Sequence, residues 1–140
     1  MDNAECVEHI KEVYRLWGAQ DPAAIPALLS ITAEDVNWNG LQEEIADLPF
    51  TVCYTCKSDL INYFNGLAEA LAMNYYEVDH YIYDGDTRLA VDGRCSFTSR
   101  ETGRIFESRK VDMITIENGE IVEFFEMFDT ANFQHCIGKT

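Results

Sequence analysis

The sequence predicts an α+β fold with its helices gathered first and its strands afterwards. Three observations predict it. Before residue 73 apolar residues recur at three- and four-residue steps. After it come four runs rich in aromatic and β-branched residues. Short glycine-bearing turns separate those runs, so consecutive strands must fold back on one another as an antiparallel meander. A sheet of that kind needs one face covered, and the N-terminal helices are available to cover it. With 140 residues and no repeat, low-complexity tract or linker, residues 1–140 read as a single domain.

Each element has its own local cause. Cys6, Ile10, Val13 and Trp17, with Val7 and Tyr14 beside them, form one face of a first helix, and charged residues fill the other. Asp2 and Glu5 resemble a capping pair at its start, and Gly18 suits its end. "AQDPAAIPALL" starts a second, shorter helix with Asp21 as its N-cap and Pro22 at the first helical position. Pro26 removes a backbone donor inside it, so this helix is expected to be short or irregular. "EDVNWNG" reads as a brief strand around Val36 to Trp38, and Gly40 to Pro49 as a loop. A third helix is expected from about Ser58, its N-cap, to Ala72, with Leu60, Phe64, Leu67, Ala68 and Leu71 on one stripe. The strand runs are "MNYYEVDHYIY", "TRLAVDGRCSFTS", "RIFESRKVDMITI" and "EIVEFFEMF".

Charge excludes some functions. Ten Lys and Arg stand against 25 Asp and Glu, a formal net charge of −15. No basic face remains to neutralise phosphates, so neither nucleic acid nor an anionic membrane is an expected partner. No apolar run is long enough to cross a bilayer. The N-terminal stretch is charged from its second residue, unlike a signal peptide, and a cytoplasmic protein is expected. The five cysteines, scattered and odd in number, suit reduced thiols. Cys53 and Cys56 have C-x-x-C spacing in "VCYTCKSDLINYF". Redox chemistry would need the first thiol at a helix N-terminus, and structural zinc would need four ligands. Cys53 lies several residues outside the expected helix and no second ligand pair exists, so no metal and no cofactor are expected.

The order of these elements, with "WGAQDPAAIPALL" after the first helix and "NGEIVEFFEMFD" near the end, resembles the nuclear transport factor 2-like superfamily. Within it, the chain is similar to the SnoaL-like and ketosteroid-isomerase-like branch over nearly its whole length. The resemblance implies a cone-shaped roll (a cystatin-like α+β barrel). Three N-terminal helices would pack on a strongly curved antiparallel sheet around an apolar cavity, and a homodimer would form through the outer sheet face. In such proteins the position of "CYTCKSD" is an entry into the cavity-side helix, which makes the cysteine pair a junction rather than a site.

The resemblance also points to candidate residues. Asp112 in "KVDMITI" matches the acid that ketosteroid-isomerase-like enzymes use as a hydrogen-bond donor to the enolate. An Asp inside an apolar strand is independently costly unless paired or protonated. The alternative is a solvent-facing Asp112, or one paired with Arg109, Lys110 or Arg94. The position of the usual base is occupied by Trp38, which cannot abstract a proton, so steroid isomerisation by the usual residues is not expected. The phenol of the family falls on Val13, with Tyr14 one residue and about 100° of helix away. Limonene-epoxide-hydrolase-like enzymes need an Arg and an Asp two residues apart on one strand. Arg109 and Asp112 are three apart and point to opposite faces.

SnoaL-like cyclases imply an acid at Asp129, which could equally cap a last short helix. Glu126 alternates with Phe124 and Phe128 and is a candidate base if that face is concave. A plain two-residue turn at Asn118-Gly119 pairs Ile116 with Ile121 and puts Asp112 on the face of Phe125, Met127 and Asp129. A bulge at the turn would align it with Phe124, Glu126 and Phe128 instead. His80 alternates with Val78 and Ile82, as a cavity group or a core histidine. Tyr54 and Tyr63 belong to a set of tyrosines suited to an amphiphilic cavity or a dimer face. The expected catalytic set is Asp112, Glu126 and Asp129. The expected ligand wall is Tyr14, Trp17, Trp38, Tyr54, Tyr63, Phe64, His80, Phe124 and Phe128. Two functions fit: a cofactor-free acid–base enzyme (isomerase, cyclase or dehydratase) acting on a small hydrophobic carbonyl compound, or a non-catalytic module binding an apolar molecule or partner protein in the same cavity.

Overall fold

The computed structural model describes residues 1–41 and 48–139. Over these it is an α+β fold of four α-helices and a curved, mixed five-stranded sheet. Helix α1 (Asn3–Gly18) begins with a reciprocal capping box. The Glu5 amide donates to Asp2 Oδ1 at 2.8 Å, and the Asp2 amide donates back to Glu5. Cys6, Val7, Ile10 and Val13 are its buried stripe.

Helix α2 (Ala24–Ser30) starts later than expected. Asp21 accepts from the Ala23 amide at 2.9 Å, a turn that delays the first helical residue. Pro26 then falls in the first helical turn, where a backbone donor has no intrahelical partner in any case. Strand β1 (Thr32–Gly40) is nine residues long rather than three. Of the loop expected from Gly40 to Pro49, residues 42–47 lie outside the described residues, and Pro49–Thr51 form a 3-10 turn. The third helix, α3 (Leu60–Ala70), is shorter than expected at both ends. Lys57–Asp59 make a 3-10 turn, so Ser58 does not cap it. Leu71 opens strand β2 instead of extending the helical stripe.

Strands β2 (Leu71–Asp84), β3 (Arg88–Ser99), β4 (Ile105–Glu117) and β5 (Glu120–Phe128) are the antiparallel meander. The sheet order is β1-β5-β4-β3-β2, and β1 adds to β5 in parallel. Only the meander, therefore, is purely antiparallel. A parallel neighbour needs a crossover connection, and here the chain between β1 and β5 includes α3 and strands β2, β3 and β4. The β4–β5 turn uses positive φ at both Asn118 (51°) and Gly119 (73°), the turn whose twist matches that of the strands it joins.

The core lies between the concave sheet face and the helices. Ile10 and Val13 of α1 and Leu60 and Phe64 of α3 meet Leu89, Val91, Ile114, Ile116, Ile121 and Phe124 of the sheet. Burying each such side chain contributes roughly 1.5–3 kcal/mol. Helix α4 (Thr130–Cys136) closes one end through Phe133, which meets Phe50, Phe106 and Phe128 edge to face. Among the described residues no helix is long and apolar enough to cross a membrane.

Candidate active site

Register decides which acids meet. The tight turn pairs Ile116 with Ile121 and Glu117 with Glu120. One residue further on, Thr115 pairs with Glu123, leaving Val122 as an extra residue in β5. From there Asp112 lies opposite Glu126. The bulge that brings the two acids to one face is thus present, placed just inside the strand rather than in the turn. Asp112 is 1% exposed and Glu126 3%.

Between these carboxylates sits Lys110, two residues before Asp112 on β4 and therefore on the same face. Its ammonium is 2.5 Å from Asp112 Oδ1 and 3.0 Å from Glu126 Oε2, and it donates to the Tyr76 hydroxyl at 3.2 Å. Tyr14 donates to Asp112 Oδ2 at 2.5 Å, and Tyr76 donates to the same oxygen at 3.1 Å. Tyr63 donates to Glu126, 3.0 Å from each carboxylate oxygen. Two carboxylates, one ammonium and three phenols form a single network at the inner face of the sheet.

Its electrostatics follow from burial. Removal from water pushes the Glu126 carboxyl above its usual range, Lys110 pulls it back, and Asp112 raises it further. Burial works against the Lys110 charge, but the two carboxylates outweigh it and hold the ammonium well above its ordinary pKa. All three phenols are likewise pushed up, chiefly by burial and then by the nearby carboxylates, so they act as neutral donors. Formally the trio of charges carries one excess negative charge, which a proton on Glu126 would cancel.

A pocket of about 100 Å³ adjoins the network. Tyr14, Trp17, Trp38, Tyr63, Phe64, Phe124 and Phe128 line it, together with Lys110, Asp112 and Glu126. Trp38 stacks face to face on Phe124 with centroids 3.8 Å apart and meets Tyr63 and Phe64 edge to face. Its buried indole N–H has no hydrogen-bond partner among the described residues.

Three expected site residues stand elsewhere. Asp129 is exposed and caps α4, accepting from the Asn132 amide at 3.0 Å. His80 is exposed on β2. Tyr54 is half-buried and does not line the space; its backbone pairs with Trp38 and its hydroxyl donates to the Pro49 carbonyl. The other two suggested partners of Asp112 are also engaged away from it. Arg109 pairs with Asp92, and Arg94 with Glu77 and Asp79.

The residues missed as site members are Lys110 and Tyr76. For Lys110 a signal existed, since two-residue spacing from Asp112 fixes a shared strand face. Nothing local distinguished Tyr76 from its neighbour Tyr75. All five cysteines are thiols, and among the described residues no group of three or more His, Cys, Asp or Glu is arranged to hold a metal ion.

Comparison with known proteins identifies the class. The SnoaL-like domain model matches residues 10–124, so the chain belongs to the SnoaL-like family. No curated protein matches it significantly. Among solved structures, an NTF2-like protein of unknown function from Burkholderia pseudomallei is similar at a TM-score of 0.82 and 24% identity, covering 99% of each chain. TerC, crystallised with polyporic acid, is similar at 0.78 and 21% identity, over 94% of this chain and 97% of that one. A candidate SnoaL-like polyketide cyclase from Mesorhizobium loti is similar at 0.72 and 20% identity, over 91% and 99%. At these identities the likeness is one of fold.

Proposed function

We propose that the protein is a cofactor-free acid–base enzyme acting on a small, hydrophobic, enolisable carbonyl compound. One observation carries this reading: two buried carboxylates flank one ammonium in an otherwise apolar interior. Glu126 is the base. Its raised pKa makes it a stronger proton acceptor than an exposed carboxylate. Asp112 receives three donors and serves as the fixed counter-charge of Lys110.

In the proposed reaction Glu126 takes the proton from the carbon next to the carbonyl, and the electron pair moves onto the carbonyl oxygen. The Lys110 ammonium stabilises that oxyanion. Tyr76 is the longest of the three Lys110 contacts, so it is the one a ligand oxygen displaces most readily. Return of the proton to a different carbon gives isomerisation; loss of a β-hydroxyl gives dehydration; attack of the enolate on a second carbonyl gives cyclisation. The ligand of TerC and the name of the Mesorhizobium protein favour an oxygenated cyclic substrate.

The test is deuterium uptake at the α-carbons of neutral ketones, followed in the wild type, Glu126→Gln and Asp112→Asn. Uptake lost in both variants supports catalysis. Ketones that bind without uptake, and bind Asp112→Asn equally well, would leave a non-catalytic binding module.

A second reading is favoured by the spacing of Lys110 and Asp112. It is similar to the Arg–Asp spacing of limonene-epoxide-hydrolase-like enzymes, with a point charge replacing a planar fork. Glu126 would then activate water against a small epoxide, and diol formation from such a substrate would favour it over enolisation. A homodimer belongs to the same proposal. Val111, Met113, Phe125 and Met127 are half-buried on the outer sheet face and form two adjacent cross-strand pairs. Sedimentation analysis of the wild type and Met113→Glu tests it.

A further inference from the structure

We propose that Trp38 is a ligand-binding residue: its indole N–H donates to a second acceptor oxygen of the substrate, apart from the carbonyl held at Lys110. The inference rests on the acid–base reading above for where that carbonyl lies, and goes beyond it in assigning a second polar contact. The substrate class it defines is a neutral ketone with an ether or carbonyl oxygen further along the molecule.

Buried polar groups are almost always paired, so each exception calls for a reason. Among the described residues two buried side-chain atoms lack a partner, Trp38 Nε1 and Asn39 Oδ1. Successive strand residues face opposite ways, and of these two only Trp38 lines the pocket. It is 3% exposed. The rings of Tyr63 and Phe64 meet the indole edge to face at 5.5 and 6.0 Å between centroids, and an aromatic face is at best a weak acceptor. An indole N–H is a donor only. What satisfies it must bring an acceptor, and an oxygen of the ligand does.

The donor is fixed in place before a ligand arrives. The Trp38 amide donates to the Tyr54 carbonyl at 2.8 Å, and the Tyr54 amide donates back to the Trp38 carbonyl at 2.9 Å. The segment between Cys53 and Cys56 thereby contributes to the site, by holding Trp38 through the backbone of Tyr54. On its other side Trp38 pairs with Phe124 of β5, on whose ring the indole stacks at 3.8 Å. A donor held rigidly spares an ordering cost on binding. Lys110 Nζ lies 5.7 Å from the centroid of that same Phe124 ring. One small molecule can therefore touch ammonium and indole together.

Two isosteric ketone pairs test this, each with an oxygen or a carbon at the second position. They are cyclohexane-1,4-dione against 4-methylenecyclohexanone, and 5-methoxypentan-2-one against heptan-2-one. Affinities are measured in the wild type and in Trp38→Phe, which keeps an aromatic ring and loses the N–H. Both members of a pair share the loss of packing, so the change in their ratio reports the oxygen contact. For at least one pair, Trp38→Phe should weaken the oxygenated member by about three- to tenfold relative to its carbon partner. In the wild type that ligand should move the Trp38 indole N–H proton resonance downfield, and its carbon partner should not. With two tryptophans in the chain, Trp17→Phe assigns the resonance even if Trp38→Phe fails to fold.

An unchanged ratio in both pairs, no downfield shift with either oxygenated ketone, or no binding of either one overturns the proposal. Binding with the expected shift but without deuterium uptake at the α-carbons supports the Trp38 contact and sinks the acid–base reading alone. Uptake without any indole response sinks the Trp38 contact alone.

Discussion

Glu126 and Lys110 are the residues whose removal says most, because each is buried against charges it cannot leave. Glu126→Gln keeps the shape of the side chain and removes the base. Deuterium uptake should fall by about 10²–10⁴-fold if Glu126 transfers the proton. The same variant should change how stability depends on pH. Burial raises the folded-state pKa of Glu126 above its ordinary 4.5, so the folded chain holds this proton where the unfolded chain has lost it. Its stabilising contribution is complete below that ordinary value and is lost as pH rises through the folded pKa. Urea midpoints of the wild type should therefore decline over that window, and those of Glu126→Gln should decline less. Lys110→Met leaves two carboxylates facing each other without a cation. It should cost about 3–5 kcal/mol at neutral pH, and less in acid, where the carboxyls take up protons. Equal destabilisation at both pH values would show that the loss is one of packing.

At the scale of elements, the site depends on one irregularity in β5 and one cap beyond it. Val122, the extra residue, lets both Ile121 and Phe124 face inward and brings Glu126 opposite Asp112. Asp129, three residues after Glu126, has left the sheet and holds the first turn of α4. Asp129→Ala should therefore cost about 1 kcal/mol in urea unfolding while leaving ketone deuterium uptake unchanged. A large loss of uptake with little loss of stability would return Asp129 to the chemistry. Tyr14 shows how an element can carry a side chain to a site from an unpromising position. It lies beside the buried stripe of α1, yet its hydroxyl reaches Asp112 because the phenol spans the gap between helix and sheet.

For the whole molecule, the dominant quantity is the formal net charge of −15. Surface charges of one sign repel one another more strongly in the compact state than in the expanded one. Screening acts over roughly 8 Å at physiological ionic strength. Raising sodium chloride from about 10 to about 150 mM should raise the melting temperature by a few degrees. The buried Lys110 network is shielded from that effect, so Lys110→Met should show the same salt increment as the wild type. An unchanged melting temperature in the wild type would mean that surface ion pairs such as those of Arg94 already balance the repulsion.

The sequence by itself determined the α+β class, the four strands of the meander and their turns, and the amphipathic first helix. These rest on periodicity and turn chemistry, which act within a few residues. It also held one clue to the site that parity makes readable, the two-residue step from Lys110 to Asp112. Other features belong to the tertiary structure: the parallel addition of β1, the early end of α3, the bulge at Val122, and the meeting of Tyr14, Tyr63 and Tyr76 with the two acids. Each depends on segments far apart in the chain closing on one another. A single-residue slip in one strand reverses which side chains face inward, and no local pattern in β5 fixes that slip. It is fixed by the sheet as a whole, where the helices cover one face and leave the other bare.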